Sequence, residues 1–207
     1  MIDLKELTIS YGQKTIAYPE IQVSPGEAVG LFGQSGCGKT SLLNALCEPD
    51  FSGKLHYRQA RLMGRDLQDW GWERFAHMSY LPQFAQSSLN PKMPLRAQMR
   101  LVLSSNQRPW EEDRLRRLLE QLKLDWTLLD RYPGTLSGGQ RQRMVLVLNL
   151  IKGPKLLILD EPSSALDLMT LQEMVECLLQ IKGHTTLLLV AHQRAFLEKV
   201  VDRVIQL

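Results

Sequence analysis

The residues with the clearest chemistry form one short stretch, Gly33-Gln-Ser-Gly-Cys-Gly-Lys-Thr40, spaced G-x-x-x-x-G-K-T. It lies between the apolar run Ala28–Phe32, which reads as a buried strand, and the run Lys39–Leu46, which reads as a helix. A strand turning into a helix is the setting in which this spacing binds phosphate. Gly33, Gly36 and Gly38 let the backbone of Gln34, Ser35 and Cys37 wrap closely enough to aim N–H groups at an anion. The helix N-terminus adds its positive dipole end at the same place. Lys39 is then expected to reach the β- and γ-phosphates of a nucleotide, and the Thr40 hydroxyl, followed by Ser41, to hold Mg²⁺.

A second constellation is Leu156-Leu-Ile-Leu-Asp160-Glu161, an apolar run ending in two carboxylates. A strand buried on both faces can carry such residues only at its C-terminal edge, where open α/β sheets bind ligands. Asp160 suits Mg²⁺, a hard cation that takes carboxylate oxygen. Glu161 suits a residue that orients or deprotonates water for attack on a γ-phosphate. A third element, Leu136-Ser-Gly-Gly-Gln140, opens a helix. There Ser137 is a natural N-cap, and Gly138 and Gly139 bare the backbone N–H groups of a second anion-binding end.

These residues need a sheet with helices around it. The pattern predicts strands around Leu4–Ile9 and at Ile21–Val23, Lys54–Arg58, Met78–Leu81, Leu156–Leu159, Thr185–Val190 and Val204–Leu207, with Tyr11–Lys14 as a turn. Helical spacing is expected at Leu95–Leu103, Glu111–Leu122, Gln140–Ile151, Thr170–Lys182 and Arg194–Val201. The expected class is α/β: a phosphate-loop ATPase core with an antiparallel β edge region and an inserted helical subdomain. The core is assigned to 1–86 and 152–207 and the subdomain to 87–151, all within one domain.

Composition narrows the partners. Lys and Arg number 25 and Asp and Glu 22, and the resulting +3 is too mild to argue for nucleic acid. Cys37, Cys47 and Cys177 lack metal spacing and suggest no disulfide framework, which fits a reducing cytosol. The opening Met1–Glu6 has no signal-peptide character, and the longest apolar runs are too short to span a bilayer. If the protein works at a membrane, another chain must supply the membrane.

Taken together, Gly33–Thr40, Gln83, Leu136–Gln140, Asp160-Glu161, Ser164-Ala-Leu-Asp167 and His192 resemble, in order and over essentially the whole chain, the nucleotide-binding subunit of the ABC transporter family. The Leu-Ser-Gly-Gly-Gln pentapeptide is the most specific element. The resemblance implies that Tyr11 stacks on adenine, that Gln83 touches Mg²⁺ or water and senses the membrane partner, and that His192 contacts the γ-phosphate. It further implies that Ser137, Gly138, Gly139 and Gln140 meet the nucleotide of an opposite protomer, and that Asp167 links the two sites. The implied cofactors are ATP and Mg²⁺. The implied partners are membrane permease subunits, a second ATPase subunit, identical or paralogous, and indirectly a solute-binding protein. The implied location is cytoplasmic, on the inner face of the cell membrane.

Ser87-Ser-Leu-Asn-Pro91, with Arg131-Tyr-Pro133, resembles the importer branch for peptides, nickel or metal chelates. Two features differ from that pattern: Leu148 stands where the family usually has Arg, and Leu207 is not followed by the C-terminal extension that many members of the branch carry. The rival readings are an accessory cassette of a carbon–phosphorus lyase system, a DNA-repair or translation ATPase, and a non-catalytic binding subunit. Long coiled-coil insertions or a second cassette would mark the DNA-repair and translation class, and this chain shows neither. The presence of Glu161 and His192 disfavours the non-catalytic one.

Overall fold

The computed structural model describes residues 1–164 and 166–207, and the backbone only of Gln86. Ala165, part of the Ser164–Asp167 motif, lies outside the described residues. The elements in chain order are β1 (Ile2–Lys5), β2 (Thr8–Tyr11), β3 (Lys14–Ala17), β4 (Ile21–Val23), β5 (Ala28–Phe32), α1 (Lys39–Cys47), β6 (Lys54–His56), β7 (Gln59–Leu62), β8 (Arg65–Asp66) and β9 (Met78–Leu81). After them come α2 (Leu95–Ser105), α3 (Glu112–Gln121), α4 (Gly138–Leu150), β10 (Leu156–Asp160), α5 (Leu168–Ile181), β11 (Thr186–Ala191), α6 (Arg194–Val200) and β12 (Arg203–Gln206).

A parallel sheet in the order β12-β5-β11-β10-β9 carries the fold. Its central strands are apolar on both faces because both faces are covered. Alternation divides their side chains between two cores. Leu31, Ile158, Leu188 and Val190 join α1 and the antiparallel β1, β4 and β7 on one side. Leu157, Leu159, Leu187 and Leu189 pack with α4, α5 and α6 on the other. Two smaller antiparallel sheets, β4-β1-β7-β8 and β3-β2-β6, form the edge region.

Several sequence expectations need correction. The single strand around Leu4–Ile9 is two strands in different sheets, because the chain turns at Glu6, whose φ is 52°. Tyr11–Lys14 is not wholly a turn: Tyr11 pairs with Lys14 as the last rung of a hairpin closed by Gly12 and Gln13. That hairpin's second strand, β3, and the short β7 and β8 were not expected. The strand at Lys54 ends at His56, not Arg58. Helix α5 begins at Leu168 rather than Thr170, because Asp167 caps it by accepting from the Met169 and Thr170 amides, each at 3.0 Å.

Candidate nucleotide site

The register of the parallel sheet brings three strand ends to one edge. Phe32 pairs with Ala191 and Asp160 with Val190, so Gly33, Glu161 and His192 all leave the sheet at the same level. A cleft of about 420 Å³ opens there. It is lined by the loop residues Ser35, Gly36, Gly38, Lys39, Thr40 and Ser41 together with Gln83, Asp160, Glu161 and His192.

The loop is shaped by its glycines where the chain requires them. Gly38 has φ 103°, a left-handed conformation, and a Cβ there would stand 2.7 Å from the Tyr18 hydroxyl oxygen. A Cβ on Gly33 would meet Cys37 Sγ at 2.5 Å, so Gly33 and Cys37 form the tight root of the loop. Helix α1 has neither a side-chain N-cap nor an acidic residue in its first turn. Its leading N–H groups and dipole therefore face the cleft uncompensated, as an anion site requires. Lys39 Nζ donates to the carbonyls of Gly33 at 2.7 Å and Gln34 at 3.1 Å, and lies 3.9 Å from Glu161 Oε1.

Glu161 is buried and held from three directions. Its amide donates to the Val190 carbonyl at 2.7 Å, its Oε2 accepts from the His192 amide at 3.2 Å, and the same oxygen lies 2.7 Å from His192 Nδ1. Its φ of 48° places this buried glutamate in the left-handed region, uncommon for a residue that carries a Cβ. Asp160 accepts from the Tyr80 hydroxyl at 3.2 Å, and burial raises its carboxyl pKa above the ordinary value.

The donor set fits a nucleotide-bound Mg²⁺. Among the described residues no three His, Cys, Asp or Glu cluster as a self-sufficient metal cage. Mg²⁺ on phosphates needs only a carboxylate or two and a hydroxyl beside its waters. Asp160 and Thr40, both lining the cleft, supply those groups.

Not every residue singled out in the sequence comes to this cleft. Ser137 and Gln140 satisfy each other in a capping box at the start of α4: the Gln140 amide donates to Ser137 Oγ at 3.1 Å, and the Ser137 amide donates to Gln140 Oε1 at 3.0 Å. Those two, with Gly138, Gly139 and Asp167, are not among the cleft's lining residues. Tyr11 stands outside the lining too, its ring edge-on to Phe51 at 5.8 Å. Lys14 and Ile16 of β3 do line the cleft and were missed in the sequence. Tyr18 and Tyr80 were missed as well, since their partners lie 20 and 80 residues away.

Residues 18–164 match the family model described as "ABC transporter". The sulfate/thiosulfate import ATP-binding protein CysA of Methylococcus capsulatus is 35% identical over all of this chain and 60% of its own length. The dipeptide transport ATP-binding protein DppD of Haemophilus influenzae is 30% identical over 99% of this chain and 68% of its own. The choline transport ATP-binding protein OpuBA of Bacillus subtilis is 32% identical over 99% and 54%. The chain thus spans a little over half to two thirds of these relatives. Among solved structures, an ATP-binding subunit of an ABC transporter superposes with a TM-score of 0.78 at 23% identity, covering all of this chain and 85% of the other. A dimeric ATP-binding cassette bound to ADP and Pi gives 0.75 at 22% identity, covering 100% and 94%. These likenesses extend the parallel sheet and its edge region to a known fold.

Proposed function

This chain belongs to the ABC transporter family, and from that premise we propose that it binds and hydrolyses ATP to power a membrane import system. The observation that carries the reading is the convergence of Lys39, Asp160, Glu161 and His192 on one cleft at the carboxyl ends of β5, β10 and β11. In this reading the loop amides and Lys39 bind and orient the phosphates, and Thr40 and Asp160 hold Mg²⁺. Once bound, Mg²⁺ neutralises phosphate charge during transfer. Glu161, aligned by His192, takes up a proton from the attacking water. Gln83 closes the wall beside them, and Tyr11, paired across its hairpin with the cleft residue Lys14, stacks on an adenine that extends beyond the cleft's lining.

The signature residues support a dimer reading. Ser137–Gln140 stand away from the cleft, so within one copy they have no nucleotide to contact. A second cassette, identical or paralogous, would bring them over the phosphates. Leu168 and Met169, 81% and 72% exposed beside Asp167, give that contact an apolar component. Among the described residues no helix is long and apolar enough to cross a membrane, which fits permease subunits being separate chains on whose inner face this one docks.

The finer reading, import of peptides, nickel or metal chelates, is supported by Ser87–Pro91 and by the dipeptide relative. The sulfate/thiosulfate and choline relatives, at 35% and 32% identity, are at least as similar as the dipeptide relative at 30%, so the cassette itself carries little of the substrate choice. Affinity capture of tagged protein from gently solubilised membranes tests the whole. Permease chains and a solute-binding protein in the eluate are the expected result. Soluble enzymes alone would replace the importer reading with an accessory ATPase.

A further inference from the structure

We propose that Tyr18 is a positioning residue for the phosphate loop, its buried hydroxyl holding the Gly38–Lys39 peptide so that the first N–H of α1 faces the phosphate. The proposal rests on the reading of the loop as a phosphate site and names a residue outside the loop that sets its shape.

Tyr18 follows β3 and is 7% exposed, with its own amide donating to the Leu7 carbonyl at 2.9 Å. Its hydroxyl donates to the Gly38 carbonyl at 2.9 Å. The same carbonyl accepts the first hydrogen bond of α1, from the Leu42 amide at 3.0 Å. Both lone pairs of one oxygen are thereby engaged, one by the helix and one by a side chain anchored in the edge sheets. A trans peptide is planar, so a fixed carbonyl fixes the following N–H, that of Lys39, in the opposite direction.

This arrangement compensates for the residue at the helix start. A Ser, Thr or Asp N-cap would hold the first turn by its own side chain, but it would also consume the N–H groups that an anion needs. Gly38 leaves those groups free and, with no side chain and a φ of 103°, leaves the peptide loosely determined. Tyr18 supplies the missing constraint from the carbonyl side. The fit is close in both directions: a Cβ on Gly38 would meet Tyr18 Oη at 2.7 Å and Ile16 Cγ2 at 2.8 Å. Ser41, also on the cleft, lies beside the same phenol. Burial lifts the phenol's pKa to about 12, so it remains a donor at any working pH.

Tyr18→Phe removes one oxygen and keeps the ring, which separates positioning from packing. Two readouts on the full chain test it: amide hydrogen exchange of residues 34–42 without nucleotide, and ATP affinity by titration. Exchange in that segment should accelerate and the ATP Kd should rise, each by about fivefold, the factor one neutral hydrogen bond is worth. Exchange in β1, β5 and β11 should not change. Unaltered loop exchange, or acceleration spread evenly over these strands, would overturn the proposal by making Tyr18 a packing residue only. Local acceleration in a chain whose wild type does not bind ATP would uphold Tyr18's hold on the loop and overturn the ATP reading instead.

Discussion

His192 and Glu161 hold each other at the end of the sheet by two contacts to one oxygen, the ring Nδ1 at 2.7 Å and the main-chain amide at 3.2 Å from Glu161 Oε2. The main-chain contact survives loss of the imidazole, whereas nothing replaces the carboxylate. Glu161→Gln is therefore expected to retain ATP binding and lose hydrolysis by at least about 100-fold, the scale of general-base catalysis. His192→Ala should lose less. Steady-state phosphate release beside nucleotide titration checks both, and near-normal turnover by Glu161→Gln would remove that residue from its role.

Two glycine substitutions should behave oppositely. Gly38→Ala forces a Cβ into a left-handed position and against Tyr18 and Ile16, so it should weaken ATP binding severely and lower the melting temperature. At Gly139 the closest atom to a Cβ would be the carboxylate tip of Glu173 at 2.8 Å, a flexible side-chain end that can swing aside. Gly139→Ala should therefore leave the melting temperature within a degree or two while reducing hydrolysis, since its proposed contact is with a second copy. Thermal melts and phosphate release on both variants decide this. A large drop in melting temperature for Gly139→Ala would refute the assignment.

Arg74 is 2% exposed and donates to the carbonyls of Leu46, Leu67, Trp70 and Gly71, tying the end of α1 to the turns before β9. Burial lowers its guanidinium pKa. Arg74→Met would strand several buried carbonyls and should cost about 3 kcal/mol. For a chain of this size that corresponds to about 6–12 °C in melting temperature. A shift under 2 °C would show that water replaces these bonds.

Lys152 lies at the end of α4, buried, its ammonium donating to the Phe75 carbonyl, and burial lowers its pKa to about 8. An unfolded lysine titrates near 10.5, so between these values the unfolded chain binds the extra proton and wild-type stability rises with pH. Compared with Lys152→Met, the wild type should gain about 2 kcal/mol between pH 8 and pH 10. Denaturant midpoints of both proteins at the two pH values test the sign. A constant difference would mean that Lys152 titrates normally.

What the sequence disclosed was what is local. The phosphate loop, the strand ending in Asp160-Glu161 and the Ser137 cap each complete their chemistry within about ten residues, so spacing reveals them. The edge sheets do not. Strand β3 has a single partly buried apolar residue, Ile16, and β8 is two residues long, so each exists only because a partner strand lies beside it. The left-handed turn at Glu6 interrupts an apolar pattern that otherwise reads as continuous. Leu168 and Met169 hid the start of α5, because exposed apolar residues contradict the periodicity that marks a helix face. Tyr18 and Tyr80 act across the fold, and no window of sequence contains both ends of their bonds.

The position of β5 also bears on how the protein comes into being. Residues 28–32 are synthesised about 150 residues ahead of both lateral neighbours of the strand, β11 and β12, which lie after residue 185. During translation the loop-bearing strand therefore waits with two open edges while most of the chain emerges, and such edges invite wrong pairing. The nucleotide cleft can form only after β11 and His192 have left the ribosome. A nascent chain stalled before β11 would hold β5 without either lateral partner, a substrate for chaperones rather than an early ATP-binding intermediate.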